Sequence, residues 1–144
     1  MREAGPLEAP SEFHAKVLAT LPDTLRRSQP VFRKTGALHA AALANRQGDL
    51  LVSREDIGRH NAVDKVVGWS LRHNQALSDC ALVVSGRASY EIVQKALAAR
   101  LSCIVAVGGA SSLAVDLAER SGISLVGFAR CNSLSVYSHP ERIL

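Results

Sequence analysis

Three short stretches of the chain carry small, flexible and hydrogen-bonding residues in a pattern suited to holding an anion. They read Ser85-Gly86-Arg87-Ala88-Ser89, Gly108-Gly109-Ala110-Ser111-Ser112 and Gly127-Phe128-Ala129-Arg130-Cys131-Asn132, the last running on into Ser133. Glycine lets a backbone approach a ligand closely. Hydroxyls and the N–H groups of a helix's first turn donate hydrogen bonds, and the helix dipole favours negative charge there. Arg87 and Arg130 add planar guanidinium groups able to grip a phosphate or carboxylate with two hydrogen bonds. The chemistry implied is recognition of a phosphate or diphosphate. Taken singly, each loop is also what capping requires, because serine at a helix start satisfies an orphan backbone N–H. Three such loops on a common edge favour a binding site.

A second constellation is Arg54, Glu55, Asp56, Arg59, His60, Asn61, Asp64 and Lys65. On a helix, His60 and Asp64 stand at i and i+4, as do Asn61 and Lys65, so a carboxylate is placed to orient an imidazole. A charge run of this kind is commonly a solvated face. Crowded against a helix start that follows a strand, however, Arg59, His60 and Asn61 are within reach of a ligand. His39, at the head of a strand, reads as structural. No G-K-[ST] loop and no G-x-G-x-x-G fingerprint occurs, so ATP or NAD binding by those routes is not expected.

Hydrophobic spacing indicates the elements that position these residues. ALVVSG, CIVAVGG and ISLVGF are short apolar runs that end in or contain glycine. Between them, ASYEIVQKALAARL turns Ile92, Val93, Ala96 and Leu97 inward, and SSLAVDLAERSG turns Leu113, Leu117 and Ala118 inward before Gly122 stops it. The order is β-α-β-α-β. Continuously apolar strands alternating with amphipathic helices imply a parallel sheet buried on both faces, and ligands of such sheets bind beyond the carboxyl ends of the strands. Upstream, Leu38 to Ser53 reads as a hairpin around Asn45–Asp49, with a helix competing for Leu38 to Ala44. The stretch from Arg54 is helical, with Ile57, Val63, Val66, Val67 and Leu71 on one face and Asp56 or Asn61 as cap. Before it, Ser11 caps a helix with Phe13, Val17, Leu18, Leu21 and Leu25 inward, which Pro22 ends or kinks near Leu21. Residues 1–12 read as a loose leader and 13–144 as one α/β domain.

At 144 residues and 47% hydrophobic, the chain is long enough for one real core. A net charge of +4 favours phosphate-bearing partners, but the basic residues are dispersed and aromatics make up only 4%, which argues against nucleic acid binding. Apolar stretches fall short of the roughly 18 residues a membrane span needs, and no signal peptide opens the chain. Cys80, Cys103 and Cys131 are odd in number and far apart, which fits a reducing cytoplasm.

The strings F-R-K-T-G-A-L-H-A-A-A-L at 32–43, R-E-D-I-G-R-H-N-A-V-D-K-V-V-G at 54–68, S-G-R-A-S at 85–89 and G-A-S-S-L-A-V at 109–115 resemble the FdhD family of formate dehydrogenase accessory sulfurtransferases. L-V-G-F-A-R at 125–130 and V-Y-S-H-P-E-R at 136–142 fit as well. The resemblance implies a three-layer, cytidine-deaminase-like mixed sheet. It also implies a protein that takes sulfur from a cysteine desulfurase and passes it to the molybdenum cofactor for formate dehydrogenase, binding the cofactor as its guanine dinucleotide, for which guanosine diphosphate (GDP) is a surrogate. The family's cofactor-contact segment falls on Phe128, Ala129, Arg130, Cys131, Asn132 and Ser133. Ser85, Gly86, Arg87, Ser89, Gly108, Ser111 and Ser112 come from the edge argument, and Arg59, His60 and Asn61 are the next candidates. The family's sulfur-carrying C-x-x-C has no counterpart in this sequence. Cys131, beside Arg130, whose charge would favour the thiolate, is the one substitute candidate for the catalytic sulfur-carrying thiol, since Cys80 and Cys103 border strands as small hydrophobes. A homodimer is expected as the commonest oligomer.

Two other functions fit the same fold. One is a module that binds the cofactor or a nucleotide without sulfur chemistry. The other is a zinc-dependent nucleobase deaminase. Where such a deaminase carries H-A-E and P-C-x-x-C, this chain reads His60-Asn61-Ala62 and Ser85-Gly86-Arg87-Ala88-Ser89, so glutamate and thiolates are missing and no zinc is expected.

Overall fold

The strand segments alternate between two buried sets of side chains, so the sheet they form is covered on both faces. The structure is a computed structural model and describes residues 12–29, 39–130 and 133–144. Strands β1 (His39–Ala44), β2 (Leu50–Asp56), β3 (Ala81–Val84), β4 (Cys103–Ala106), β5 (Ser124–Arg130) and β6 (Ser133–Val136) form one sheet in the order β2-β1-β3-β4-β5-β6. The hairpin β1–β2 is antiparallel, β3, β4 and β5 are mutually parallel, and β1 and β6 flank them antiparallel. Leu82, Val84, Ile104, Ala106 and Leu125 point to the face covered by α2 (Arg59–Arg72), α3 (Tyr90–Ala98) and α4 (Ser112–Ser121). Val83, Cys103, Val105 and Val126 point to the other, covered by α1 (Ala15–Arg27) through Leu18, Leu21 and Leu25. The expected three layers, hairpin and β-α-β-α-β are all present; β6 is an addition that carries no strong sequence signal, being only four residues of Ser-Leu-Ser-Val.

Several local expectations are corrected. Pro22 does not end α1, which runs on to Arg27 with Pro22 itself buried. The roughly 3 kcal/mol that an interior proline costs is opposed by burial of three leucines, each worth about 1.5–3 kcal/mol. His14 is the N-cap of α1 and Phe13 lies outside it, bridging to Ile143. Ser11 and the leader lie outside the described residues, apart from Glu12. The hairpin reading, by contrast, holds over the competing helix for residues 39–44, because β2 and β3 pair with both edges of this alanine run and tertiary pairing outweighs alanine's propensity. In α2 the inward set is Ala62, Val63, Val66 and Ser70, while Leu71 is 74% exposed and Ile57, before the helix, is 82% exposed. Neither Asp56 nor Asn61 is its N-cap; Gly58 is. In α4, Ala114 takes the inward place expected of Leu113, which is 63% exposed. Gly122 does stop the helix, in the left-handed conformation at φ 80°.

Candidate anion-binding site at the carboxyl edge

Because β1 runs antiparallel to β3, its first residue lies at the same edge as the carboxyl ends of β3, β4 and β5, and the hairpin brings the end of β2 there too. That edge therefore gathers His39, Asp56, the start of α2, the β3–α3 loop, the β4–α4 loop and the end of β5. The loops are tied to each other by backbone bonds from Gly108 N–H to Gly86 O at 3.0 Å, Ser111 N–H to Ala88 O at 3.2 Å and Phe128 N–H to Gly108 O at 3.1 Å. Ladder pairing thus continues past the strand ends, which fixes the loops relative to one another.

The serines are mostly committed. Ser89 and Ser111 are the N-caps of α3 and α4, accepting from Ile92 N–H at 3.3 Å and Ala114 N–H at 3.1 Å. The Ser85 hydroxyl accepts from Ala40 N–H at 2.9 Å, fastening β1 to the loop. Ser112 and Ser133 are exposed. His60 Nε2 lies 3.1 Å from Ser89 Oγ, so the second constellation joins the first loop at the start of α3. The expected pairing of His60 with Asp64 does not form; Asp64 pairs with Lys95 at 2.7 Å. Asn61 and Lys65 both turn to Asp56 instead, at 3.4 and 2.8 Å. Lys65, then the Gly58 N–H and then Asn61, hold the Asp56 carboxyl down to about 2. This network balances the acid nearest the edge.

The arginines are uncommitted. Arg87 and Arg130 are exposed and Arg59 is half-buried, and none of the three is in an ion pair among the described residues. Three glycines are in close approach, Gly108 among them, where a Cβ would lie 2.8 Å from Arg87 Cγ. A Cβ on Gly109 would lie 2.9 Å from Phe128 Cζ, and one on Gly127 would lie 2.6 Å from Tyr137 Cε2 and 2.9 Å from Gly108 O. Phe128 stands at φ 49° in the bulged stretch between Gly127 and Arg130, a left-handed conformation unusual for a bulky residue, with its ring 46% exposed over Gly109. Strain of this kind clusters at ligand sites. Ala129 is buried among the α1-side core residues, so it serves packing. Cys131 and Asn132 lie outside the described residues. The other two thiols are poor nucleophiles: burial pushes Cys103 up to about 12, and burial with the Asp79 charge raises Cys80. Both sit at the amino ends of their strands, opposite the candidate site.

The donor set of helix N-termini, three guanidiniums in no ion pair among the described residues and an exposed aromatic ring over a glycine cradle fits a ligand with phosphates and a planar ring. His39 and Tyr137 join this edge although sequence reasoning did not select them. The His39 ring lies against Gly86, within 3.6 Å of where a Cβ would stand, and the Tyr137 ring covers Gly127. Only the antiparallel pairings that flank the parallel strands could have pointed to them.

Among the described residues, no group of three or more His, Cys, Asp or Glu is arranged to hold a metal ion, and no helix is long and apolar enough to cross a membrane.

The chain is 56% identical over 130 residues to the sulfur carrier protein FdhD of Nocardia farcinica, covering 90% of this chain and 47% of that one. It is 53% identical over 135 residues to the sulfur carrier protein FdhD of Mycobacterium tuberculosis, covering 93% and 49%. The chain thus spans about half the length of the curated relatives it matches. A crystal structure described as that of a candidate formate dehydrogenase accessory protein from Desulfotalea psychrophila superposes with a TM-score of 0.88 at 35% identity, over 99% of this chain and 61% of that one. A guanine deaminase from Nitrosomonas europaea shares the fold alone, at a TM-score of 0.55 and 14% identity over 91% and 83% of the two chains. The FdhD/NarQ family model matches residues 1–144. On this agreement of sequence and fold, the chain belongs to the FdhD/NarQ family.

Proposed function

We propose that this chain is the cofactor-holding part of a sulfur-delivery protein for formate dehydrogenase, and that it binds the guanine-dinucleotide form of the molybdenum cofactor at the carboxyl edge of β3, β4 and β5. The observation that carries this reading is that Arg59, Arg87 and Arg130, in no ion pair among the described residues, share one sheet edge with the N-termini of α2, α3 and α4 and the exposed Phe128 ring. The arginines and first-turn amides suit pyrophosphate oxygens, and the Phe128 ring suits a purine or pterin face. Asp56 is matched by Lys65 and does not oppose the anion. The molybdenum cofactor, when bound, supplies the metal to which sulfur is delivered. The chain's own groups bind and orient its dinucleotide arms.

The proposed partners follow from that role: a cysteine desulfurase as sulfur donor, formate dehydrogenase as recipient, and a second copy of this chain in a homodimer, all in the cytoplasm. Calorimetric titration with guanosine diphosphate tests the site. Binding that weakens in Arg130→Ala is expected, and undetectable binding at millimolar nucleotide would refute the assignment.

One observation favours a second reading, a binding module without sulfur chemistry of its own: Cys80 and Cys103 are buried with raised thiol pKa values, and the sequence has no C-x-x-C. Incubation with a cysteine desulfurase and sulfur-labelled cysteine separates the two, since a pure binding module acquires no protein-bound sulfur. Stoichiometric zinc in the purified protein would instead support a deaminase-like activity.

A further inference from the structure

The V-Y-S-H-P-E-R string is the one conspicuous sequence element that the proposed function leaves without a role. Its residues are fastened with unusual thoroughness. The buried Ser138 hydroxyl accepts from Leu125 N–H at 2.9 Å and donates to Ile123 O at 2.7 Å. His139 reaches Glu119 O at 2.8 Å and Glu141 Oε1 at 2.9 Å, its own carbonyl accepts from Ser124 Oγ at 2.9 Å, and Arg142 donates to Gly122 O. The segment is thereby clamped to the start of β5 and the end of α4. What these anchors hold is Tyr137, whose N–H bonds Leu125 O at 2.8 Å.

The Tyr137 ring lies flush on Gly127, where a Cβ would stand 2.6 Å from Cε2 and 3.5 Å from Cδ2. Its hydroxyl reaches the same side of Gly109 that the Phe128 ring covers, 3.7 Å from where a Gly109 Cβ would be, against 2.9 Å for Phe128 Cζ. Tyr137 is half-buried, and its hydroxyl has no hydrogen-bond partner among the described residues. A phenol is both donor and acceptor, and this one is presented beside an exposed aromatic ring, on a backbone stripped of side chains, where it can bond a ligand. Rigid anchoring of a group by hydrogen bonds behind it is how binding sites are preorganised.

We infer that Tyr137 is a ligand-positioning residue of this edge: its hydroxyl hydrogen-bonds the planar heterocycle of a nucleoside diphosphate whose ring lies against Phe128, with the phosphates directed toward Arg87 and the N-termini of α3 and α4. The inference rests on the anion-site reading above and adds the polarity of the ligand, heterocycle at β5 and phosphate at the helices. It also gives the S-H-P-E-R turn a purpose, as the frame that keeps Tyr137 in place.

The test is calorimetry of the full chain with two probes, guanosine diphosphate and inorganic pyrophosphate, on wild type, Tyr137→Phe and Arg87→Ala, with thermal unfolding to verify folding. Tyr137→Phe keeps the ring on Gly127 and removes only the hydroxyl. It is expected to weaken guanosine diphosphate by about three- to tenfold, the size of one hydrogen bond, and to leave pyrophosphate within about twofold. Arg87→Ala is expected to weaken both probes. Equal weakening of both probes by Tyr137→Phe would overturn the inference, as that is the signature of a general structural loss. Unchanged guanosine diphosphate binding in Tyr137→Phe would overturn it while leaving the anion site standing. A wild-type chain that binds neither probe would remove the anion site and this inference together.

Discussion

At the amino edge of the parallel strands, polar groups are consumed by their own loops. Asn45 Oδ1 accepts from the N–H groups of Gln47 and Asp49 at 3.0 and 2.9 Å, Asn45 Nδ2 donates to Asp49 at 3.3 Å, and the buried thiols of Cys80 and Cys103 lie in this half of the sheet. At the carboxyl edge the serines and loop amides are likewise spent, on caps and on loop-to-loop bonds. What distinguishes this edge is what remains. Phe128 is strained and exposed and, among the described residues, Arg59, Arg87 and Arg130 are in no ion pair and the Tyr137 hydroxyl has no hydrogen-bond partner. Both edges contain turn residues and hydrogen-bond formers, so residue type does not mark a site. The two edges differ in residual bonding capacity.

The largest expected contrast concerns thiols. With Cys103 pushed up to about 12, its thiolate is scarcer than that of a free cysteine near 8.5 by about three orders of magnitude. A thiol reagent on the native protein should spare Cys80 and Cys103, and denaturant should expose them; rapid native labelling of either, read by peptide mass, would erase the distinction between the edges. Next is packing at the carboxyl edge. Gly127→Ala should cost about 1–3 kcal/mol in urea unfolding, because the new methyl meets the Tyr137 ring and a backbone carbonyl and neither can withdraw freely. A neutral result would mean that the glycine seam is loose.

Arg87→Ala and Arg130→Ala should each weaken guanosine diphosphate by roughly tenfold while shifting stability by under about 0.5 kcal/mol, since both are exposed and in no ion pair among the described residues. Asn45→Ala should do the reverse, lowering stability by about 1 kcal/mol without touching nucleotide binding. If Asn45→Ala impaired binding as much as Arg87→Ala, the two edges would be energetically one region. The smallest effect is electrostatic. Asp56 is held down to about 2 by Lys65, Gly58 and Asn61, against about 3.9 in an unfolded chain. A lowered carboxyl stabilises the fold above the unfolded value and loses that contribution as pH falls through the folded one. Wild type should therefore exceed Asp56→Asn in urea midpoint at neutral pH, with the gap closing between about pH 4 and pH 2; a gap that persists at pH 2 would show that the carboxylate's charge is not its source.

Local periodicity was sufficient for β3 through β5 and for the helices between them, because each strand is buried on both faces and each helix on one, so burial is written directly into residue spacing. It also located the three loops, since strand ends of a parallel sheet share an edge whatever the tertiary detail. It failed where packing overrides local preference. Pro22 is carried within α1 by the burial around it, and Leu113 and Ile57 face solvent while Ala114 and Ala62 are among the residues turned inward. The i and i+4 spacing of His60 and Asp64 was correct geometry, but Lys95 from α3 competes for the carboxylate.

Sequence alone therefore determined the layer order, the edge at which the loops meet and, through its long motif strings, the family. Tertiary structure decided which groups on that edge still have something to bind with. That depends on partners distant in sequence: Lys65 neutralising Asp56, Ser89 and Ser111 absorbed as caps, Tyr137 laid across Gly127 from the last strand. Spacing encodes which face a residue occupies. Whether its hydrogen bonds are already made is a property of contacts, and contacts exist only once the chain is folded.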